Sequence, residues 1–279
     1  MANNSNLGAA KAAKNDEFYT QYADIQKEVN AYLEYNPDTF RDKTVLLPCD
    51  DPEWSNFTRF FAQNFERLGL KRLISKNEEW DQADIIIAAP PFSLFRVLLE
   101  WSVQAGKSFL ILGNKDAVTD KETFSWIMRN KLWFGPSISS GDRDSVRWFT
   151  NLEHRQRHEP IKLMSRNDNL LFGEHKYENY DALEVPYTDA IPSDYDGVMG
   201  VPITFLDKYC PEQFRILGMC ENLDLYGLKT RVFTPQECRD AYFYKFGRRG
   251  TYDLNASGVL KTEEGLYERV DPRILIQRV

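Results

Sequence analysis

Three short stretches of this chain are almost unbroken apolar runs: TVLLP (residues 44–48), DIIIA (84–88) and SFLIL (108–112). A strand with one face in water alternates apolar and polar side chains. A run without alternation has to be covered on both faces. Helical spacing fills the gaps between the runs. Tyr22, Ile25, Val29 and Leu33 recur every three or four residues, which predicts a helix over 16–34. Phe57, Phe60, Phe61 and Phe65 form a second such face, with Ser55 or Asn56 as its cap and Gly69 as its stop. Residues 71–74 read as a further strand, and Leu94, Leu98 and Trp101 mark a third helix. Strands alternating with helices make an α/β fold, a parallel sheet with helices on both sides. Ligands of such sheets bind at the carboxyl ends of the strands. Those ends carry Cys49-Asp50-Asp51, Ala89-Pro90-Pro91-Phe92 and Gly113-Asn114-Lys115.

After about residue 135 the texture changes. Pro, Gly, Asn, Asp and Tyr become frequent, the apolar runs shorten and no internal repeat is present. A length of 279 residues accommodates one large domain or a domain with a smaller lobe. The second half therefore reads as the far edge of the sheet plus an added β-rich lobe. Residues 1–14, small and polar, read as a flexible tail. Neither a membrane span nor a signal peptide is visible. The four cysteines (Cys49, Cys210, Cys220 and Cys238) show no CxxC spacing and only three histidines accompany them, so no metal site is expected. Reduced thiols in a cytoplasm are the expectation.

The net charge of −7 requires any face for nucleic acid to be local. Two stretches qualify: Arg143, Arg147, Arg155 and Arg157 with His154 and His158, and then Lys245, Arg248 and Arg249 beside Tyr242 and Tyr244. The DYDGVMG stretch (194–200) is glycine-flanked and predicts unusual backbone geometry. It serves either the structure or the shape of a base pocket.

Pro90-Pro91-Phe92 has two readings. One is a tight turn after a core strand. The other is a pocket for a base taken out of a duplex, where a rigid turn fixes carbonyl acceptors and the aromatic ring stacks on the base. The surrounding motifs bear on the choice. KNDEFYTQYADIQKE (14–28), VLLPCDDPEWSNF (45–57), ADIIIAAPPFSLFR (83–96), FLILGNKDAVTDKE (109–122), NKLWFG (130–135), VRWFTNLEH (146–154), YENYDALEV (177–185), IPSDYDGVMGVPITFLDKYCPEQF (191–214) and RILIQ (273–277) together resemble the EcoRI-type adenine-specific DNA methyltransferases. The resemblance runs from about residue 14 to 218 and returns near residue 273.

The resemblance implies a Rossmann-like class I methyltransferase sheet with a β-rich target-recognition lobe. It also implies transfer of a methyl group from S-adenosylmethionine to the exocyclic N6 of adenine in double-stranded DNA. Residues 15–135 would form the cofactor-binding catalytic domain, and 136–279 would complete the sheet and read the target. Asp16, Phe18, Tyr19 and Thr20 match the N-terminal cofactor motif. Cys49, Asp50 and Asp51 match the loop after the first strand, where Asp50 or Asp51 would pair with the cofactor's ammonium group, and Trp54 and Asn56 stand beside them. Ala89, Pro90, Pro91 and Phe92 match the catalytic loop. Arg143, Arg147, Arg155, Arg157, Arg248 and Arg249 are the candidate DNA contacts. A monomer, with no membrane or metal partner, is expected.

The chain departs from the family in two places. The family has Asn where this chain has Ala89, so a side-chain acceptor for the target amine is missing. The loss of one positioned polar group typically costs about 10²–10³ in rate. The link SKNEEWDQ (75–82) is also shorter than the family's. The departures leave a second reading beside the enzyme: a non-catalytic homologue that binds DNA, the cofactor or another protein. An RNA or protein methyltransferase is a third class compatible with the Pro-Pro-aromatic turn.

Overall fold

A computed structural model describes residues 20–49, 55–75, 77–137, 145–168 and 175–279. The chain divides into two compact units, Met1–Arg157 and His158–Val279.

In the first unit, α1 (Tyr22–Tyr35) precedes β1 (Thr44–Leu46). Then come α2 (Asn56–Gln63), the short α3 (Phe65–Leu68), β2 (Arg72–Ile74), β3 (Ile85–Ala88), α4 (Phe92–Gln104) and β4 (Ser108–Asn114). The unit ends with α5 (Lys121–Met128), β5 (Trp133–Phe134) and β6 (Val146–Thr150). The sheet order is β2-β1-β3-β4-β6-β5. The first four strands run parallel, and β6 lies antiparallel between β4 and β5. Mostly parallel pairing is what the unalternated apolar runs predict. The short link after β2 folds as a 3-10 helix, Asn77–Gln82. Of the helix expected over 16–34, residues 16–19 lie outside the described residues, and the described helix begins at Tyr22 after an extended Gln21 (φ −72°, ψ 145°).

Strand alternation sends successive side chains to opposite faces. Val45, Ile85, Ile87, Leu110 and Leu112 share one core with Ile25, Val29 and Tyr32 of α1 and with Phe57, Phe60 and Phe61 of α2. The intervening Leu46, Ile86 and Ile111 are equally buried, so both faces are covered. Each fully buried side chain of this size contributes roughly 1.5–3 kcal/mol. Ser55 caps α2 by accepting a hydrogen bond from the Phe57 backbone N–H at 3.0 Å. Gly69 ends α3 in the left-handed region (φ 64°).

The second unit holds β7 (Leu183–Glu184), β8 (Met199–Pro202), β9 (Phe214–Met219), α6 (Pro235–Phe246), β10 (Val259–Lys261), β11 (Tyr267–Arg269) and β12 (Arg273–Arg278). The order β7-β8-β12-β9 puts β12 between β8 and β9, antiparallel to both, and β10–β11 form a separate ribbon. A buried ion pair joins Arg273 Nη2 to Glu184 Oε1 at 2.7 Å, and the Tyr177 hydroxyl also donates to Glu184. The unusual backbone expected at 194–200 is absent, since neither Gly197 nor Gly200 has positive φ. Their small size matters instead, because a Cβ would run into the ring of Tyr195 at Gly197 and of Tyr177 at Gly200.

Candidate active site

Parallel pairing brings the carboxyl ends of β1, β3 and β4 to one edge of the sheet. After β1 the chain passes Leu47 and Pro48 to the exposed Cys49. After β3 it turns through Ala89 and the buried Pro90, and α4 starts at Phe92. After β4, Asn114 accepts a hydrogen bond from the Asp116 N–H at 2.8 Å, which turns the chain away from the sheet.

The turn after β3 is built from its sequence. Pro91, at φ −49° and ψ 143°, enters α4 without needing an N–H, and its carbonyl accepts from Leu94 N at 2.8 Å and Phe95 N at 3.1 Å. Among the described residues nothing donates to the Pro90 carbonyl. Phe92 is 43% exposed on the first turn of α4, although large aromatics usually prefer a core. Phe95, one turn later, is buried over Gly113, where a Cβ would strike its ring, and meets Phe149 of β6 edge-on at 4.9 Å. Ala89 itself is partly buried and packs against the core.

A second group of residues gathers at the start of α2. Asn56 Nδ2 donates to the Thr20 carbonyl at 2.9 Å, tying the chain before α1 to the segment after β1. These two stretches, 36 residues apart, are where the sequence reading put the cofactor. The hydroxyls of Thr20 and Thr58 are buried there without a hydrogen-bond partner among the described residues. The two hydroxyls stand in segments that the Asn56–Thr20 hydrogen bond ties together, and buried polar atoms of this kind call for a polar partner. Thr58 was not singled out from sequence, and nothing in its spacing marks it. Asp16, Phe18, Tyr19, Asp50, Asp51, Trp54 and Arg143 lie outside the described residues.

The basic cluster divides. Arg155 is exposed. Arg147 and Arg157, expected at the DNA, are buried. Arg147 donates to the Val146 carbonyl at 2.9 Å. The Arg157 guanidinium stacks 3.7 Å over the Trp133 ring, donates to Asn130 at 3.1 Å and lies 3.4 Å from Glu153. Arg157 is thus held from within its own unit by a ring, an amide and a carboxylate. Arg248 and Arg249, in the second unit, are exposed.

Glu28 of α1, which sequence reading passed over, is fully buried. It accepts from the Tyr32 hydroxyl at 2.7 Å and from Ser137 N at 2.9 Å. Burial pushes its carboxyl up to about 7, and the hydrogen bonds offset only part of that. The i,i+4 spacing to Tyr32 was the available signal.

The model of the family described as "Adenine-specific methyltransferase EcoRI" matches residues 6–81, 76–144 and 142–264. This chain belongs to that family. Its relatives include the type II methyltransferase M.EcoRI of Escherichia coli, at 34% identity over 80% of this chain and 91% of the relative. The type II methyltransferase M.MpnI of Mycoplasma pneumoniae is 32% identical over 86% and 94%. M.MgeORF184P of Mycoplasma genitalium, also a type II methyltransferase, is 31% identical over 80% and 90%. No solved structure matches. Membership in the EcoRI methyltransferase family implies a methyl donor. The family match crosses the shortened 75–82 link and runs through most of the second unit. Among the described residues no helix is long and apolar enough to cross a membrane.

Proposed function

We propose that this chain transfers a methyl group from S-adenosylmethionine to the exocyclic N6 of an adenine extruded from double-stranded DNA, as a cytoplasmic modification enzyme of the type II kind. The observation that carries the reading is the turn after β3. In a member of an adenine-specific family, a rigid Pro-Pro turn leaves one carbonyl without a donor among the described residues and one aromatic ring exposed at the carboxyl edge of a parallel sheet.

Thr20, Cys49, Asn56 and the Thr58 hydroxyl would hold the cofactor. By resemblance, Asp16, Phe18, Tyr19, Asp50 and Asp51 would join them. When bound, the cofactor supplies an electrophilic methyl on a sulfonium. The Pro90 carbonyl accepts a hydrogen bond from the exocyclic amine, which raises electron density on the attacking nitrogen and orients its lone pair. The Phe92 ring stacks on the extruded base. Pro90 and Pro91 hold both groups with little conformational freedom to lose. Ala89 contributes its backbone and packing and no side-chain acceptor. Arg155 of the first unit is a candidate phosphate contact, and the second unit is the candidate target-recognition lobe.

The test is transfer of labelled methyl from S-adenosylmethionine to duplex DNA, with the product digested and N6-methyladenine quantified. Calorimetric titration of S-adenosylmethionine runs alongside it. Label in N6-methyladenine is the expected outcome. Cofactor binding with label only in RNA or protein, or in no product, would overturn the assignment. Phe92→Ala should weaken binding to a duplex with an unpaired adenine more than to an intact duplex. Equal weakening would remove Phe92 from the base pocket.

A further inference from the structure

In the second unit, residues 243–250 (FYKFGRRG) are all exposed. They contain three aromatics, three cations and no acid. Phe243, Tyr244 and Phe246 are 53%, 64% and 49% exposed. The chain as a whole carries −7, so this surface is opposite in sign to the molecule that bears it.

The segment is rigidly presented. α6 starts with a capping box in which Thr234 and Glu237 each accept from the other's backbone N–H, and Pro235 stands at its first turn. Only Cys238 and Ala241 of α6 are buried, against Phe233, Leu254 and Val259. The helix therefore docks through small residues and leaves its large ones outside. Lys245 Nζ is tied to Glu268 of β11 at 2.5 Å. Gly247 closes the helix at φ 65°. Beyond it the chain folds back so closely that a Cβ at Gly250 would strike the Tyr242 ring. Tyr242 stacks in turn on Phe246 at 4.6 Å and on Tyr252 at 6.0 Å. The turn holding Arg248 and Arg249 is thus pinned between a helix end and an aromatic pack. With Lys245 engaged by Glu268, these two arginines are the uncommitted cations of the tip, since neither has an ion-pair partner among the described residues.

Phe243 and Tyr244, exposed beyond that aromatic pack, mark a binding surface. Arginines free of carboxylates beside them select a polyanion, and flat rings select a partner with π faces. We propose that the C-terminal end of α6 and the turn after it contact DNA, with Arg248 and Arg249 on phosphates and Phe243 and Tyr244 against an unstacked base. This inference rests on the DNA-directed reading above and adds a contact outside the catalytic loop. The partner is the substrate duplex.

The test measures duplex binding by fluorescence anisotropy across a salt series. The proteins are the parent chain, Arg248→Gln/Arg249→Gln, Phe243→Ala/Tyr244→Ala, and Lys71→Gln as a charge-loss control on the first unit. Each phosphate contact contributes about 0.9 to the slope of log affinity against log salt. The arginine variant should lower that slope by about 1.8, with Lys71→Gln leaving it unchanged. The aromatic variant should keep the slope and weaken binding by roughly fivefold or more, given about 1 kcal/mol or more for a stacked base. Cofactor titration should be the same in all four proteins. A parent chain that methylates DNA, with variants that keep its affinity and slope, would overturn the α6 contact and leave the proposed function standing. Variants that lose affinity for single-stranded RNA but not for duplex DNA would also overturn it. A parent chain that binds the cofactor but neither binds nor methylates DNA would overturn both.

Discussion

Replacing Glu28 by Gln should make the first unit more stable at mildly alkaline pH. Glu28 is fully buried, and its carboxyl is raised from the ordinary 4.5 to about 7. Between those two values the unfolded chain has released the proton and the folded chain keeps it. The unfolded state then binds fewer protons, so stability falls as pH rises through that window. A gap of about 2.5 pH units at about 1.36 kcal/mol each makes the full loss roughly 3 kcal/mol. It is absent below the unfolded value and complete above the folded one. Gln has the same size and no charge to lose. Its oxygen can accept from Ser137 N and its amide can donate to the Tyr32 oxygen. The variant should match the parent near pH 5 and exceed it by about 1–3 kcal/mol near pH 8. Urea unfolding followed by tryptophan fluorescence is the assay, because all six tryptophans lie between residues 54 and 148, within the first unit. If both proteins show the same stability slope between about pH 5 and 8, the buried carboxyl is not the cause and the reasoning fails.

If the proposed base pocket is right, Ala89→Asn, which puts an amide at the position where the family has one, should raise turnover by about 10² or more; no gain in the methylation assay would mean the missing amide is not limiting. Gly113→Ala drives a methyl group into the Phe95 ring from a strand bonded on both sides, and should cost about 1–3 kcal/mol by urea midpoint. Arg273→Ala leaves Glu184 buried without its cation and should destabilise the second unit by about 3–5 kcal/mol. Glu184→Gln added to it should recover part of that loss. Far-ultraviolet circular dichroism is the readout, because residues 158–279 contain no tryptophan.

The first four strands and their helices were legible because a strand covered on both faces writes itself as an apolar run. β6 was not. Its VRWFT run (146–150) begins inside an arginine- and histidine-rich stretch, and the charges drew the eye toward a DNA surface. Its place between β4 and β5 is set by pairing across more than thirty residues of chain, for which no local pattern exists. The burial of Arg157 was hidden for the same reason, since Trp133 lies 24 residues earlier in sequence and only the fold brings the ring under the guanidinium. The turn after β3 was readable from Pro90, Pro91 and Phe92 because proline restricts the backbone wherever it stands. The tie between Thr20 and Asn56 is a long-range hydrogen bond, and no local pattern announces it; the resemblance only named both residues as cofactor candidates. At Gly197 and Gly200 sequence identified the small residue but could not tell backbone freedom from crowding by a tyrosine.

The position of β12 has a consequence for the order in which the protein can be assembled. β8 and β9 are complete once residue 219 has been synthesised, yet the strand that belongs between them is made only at 273–278. Throughout synthesis of the intervening segment, which includes α6, both strands present an open row of backbone donors and acceptors. The second sheet therefore cannot close progressively behind the ribosome. A fragment stopping before residue 273 would keep two sticky edges and no strand to join them, and its natural fate is association with another copy through those edges.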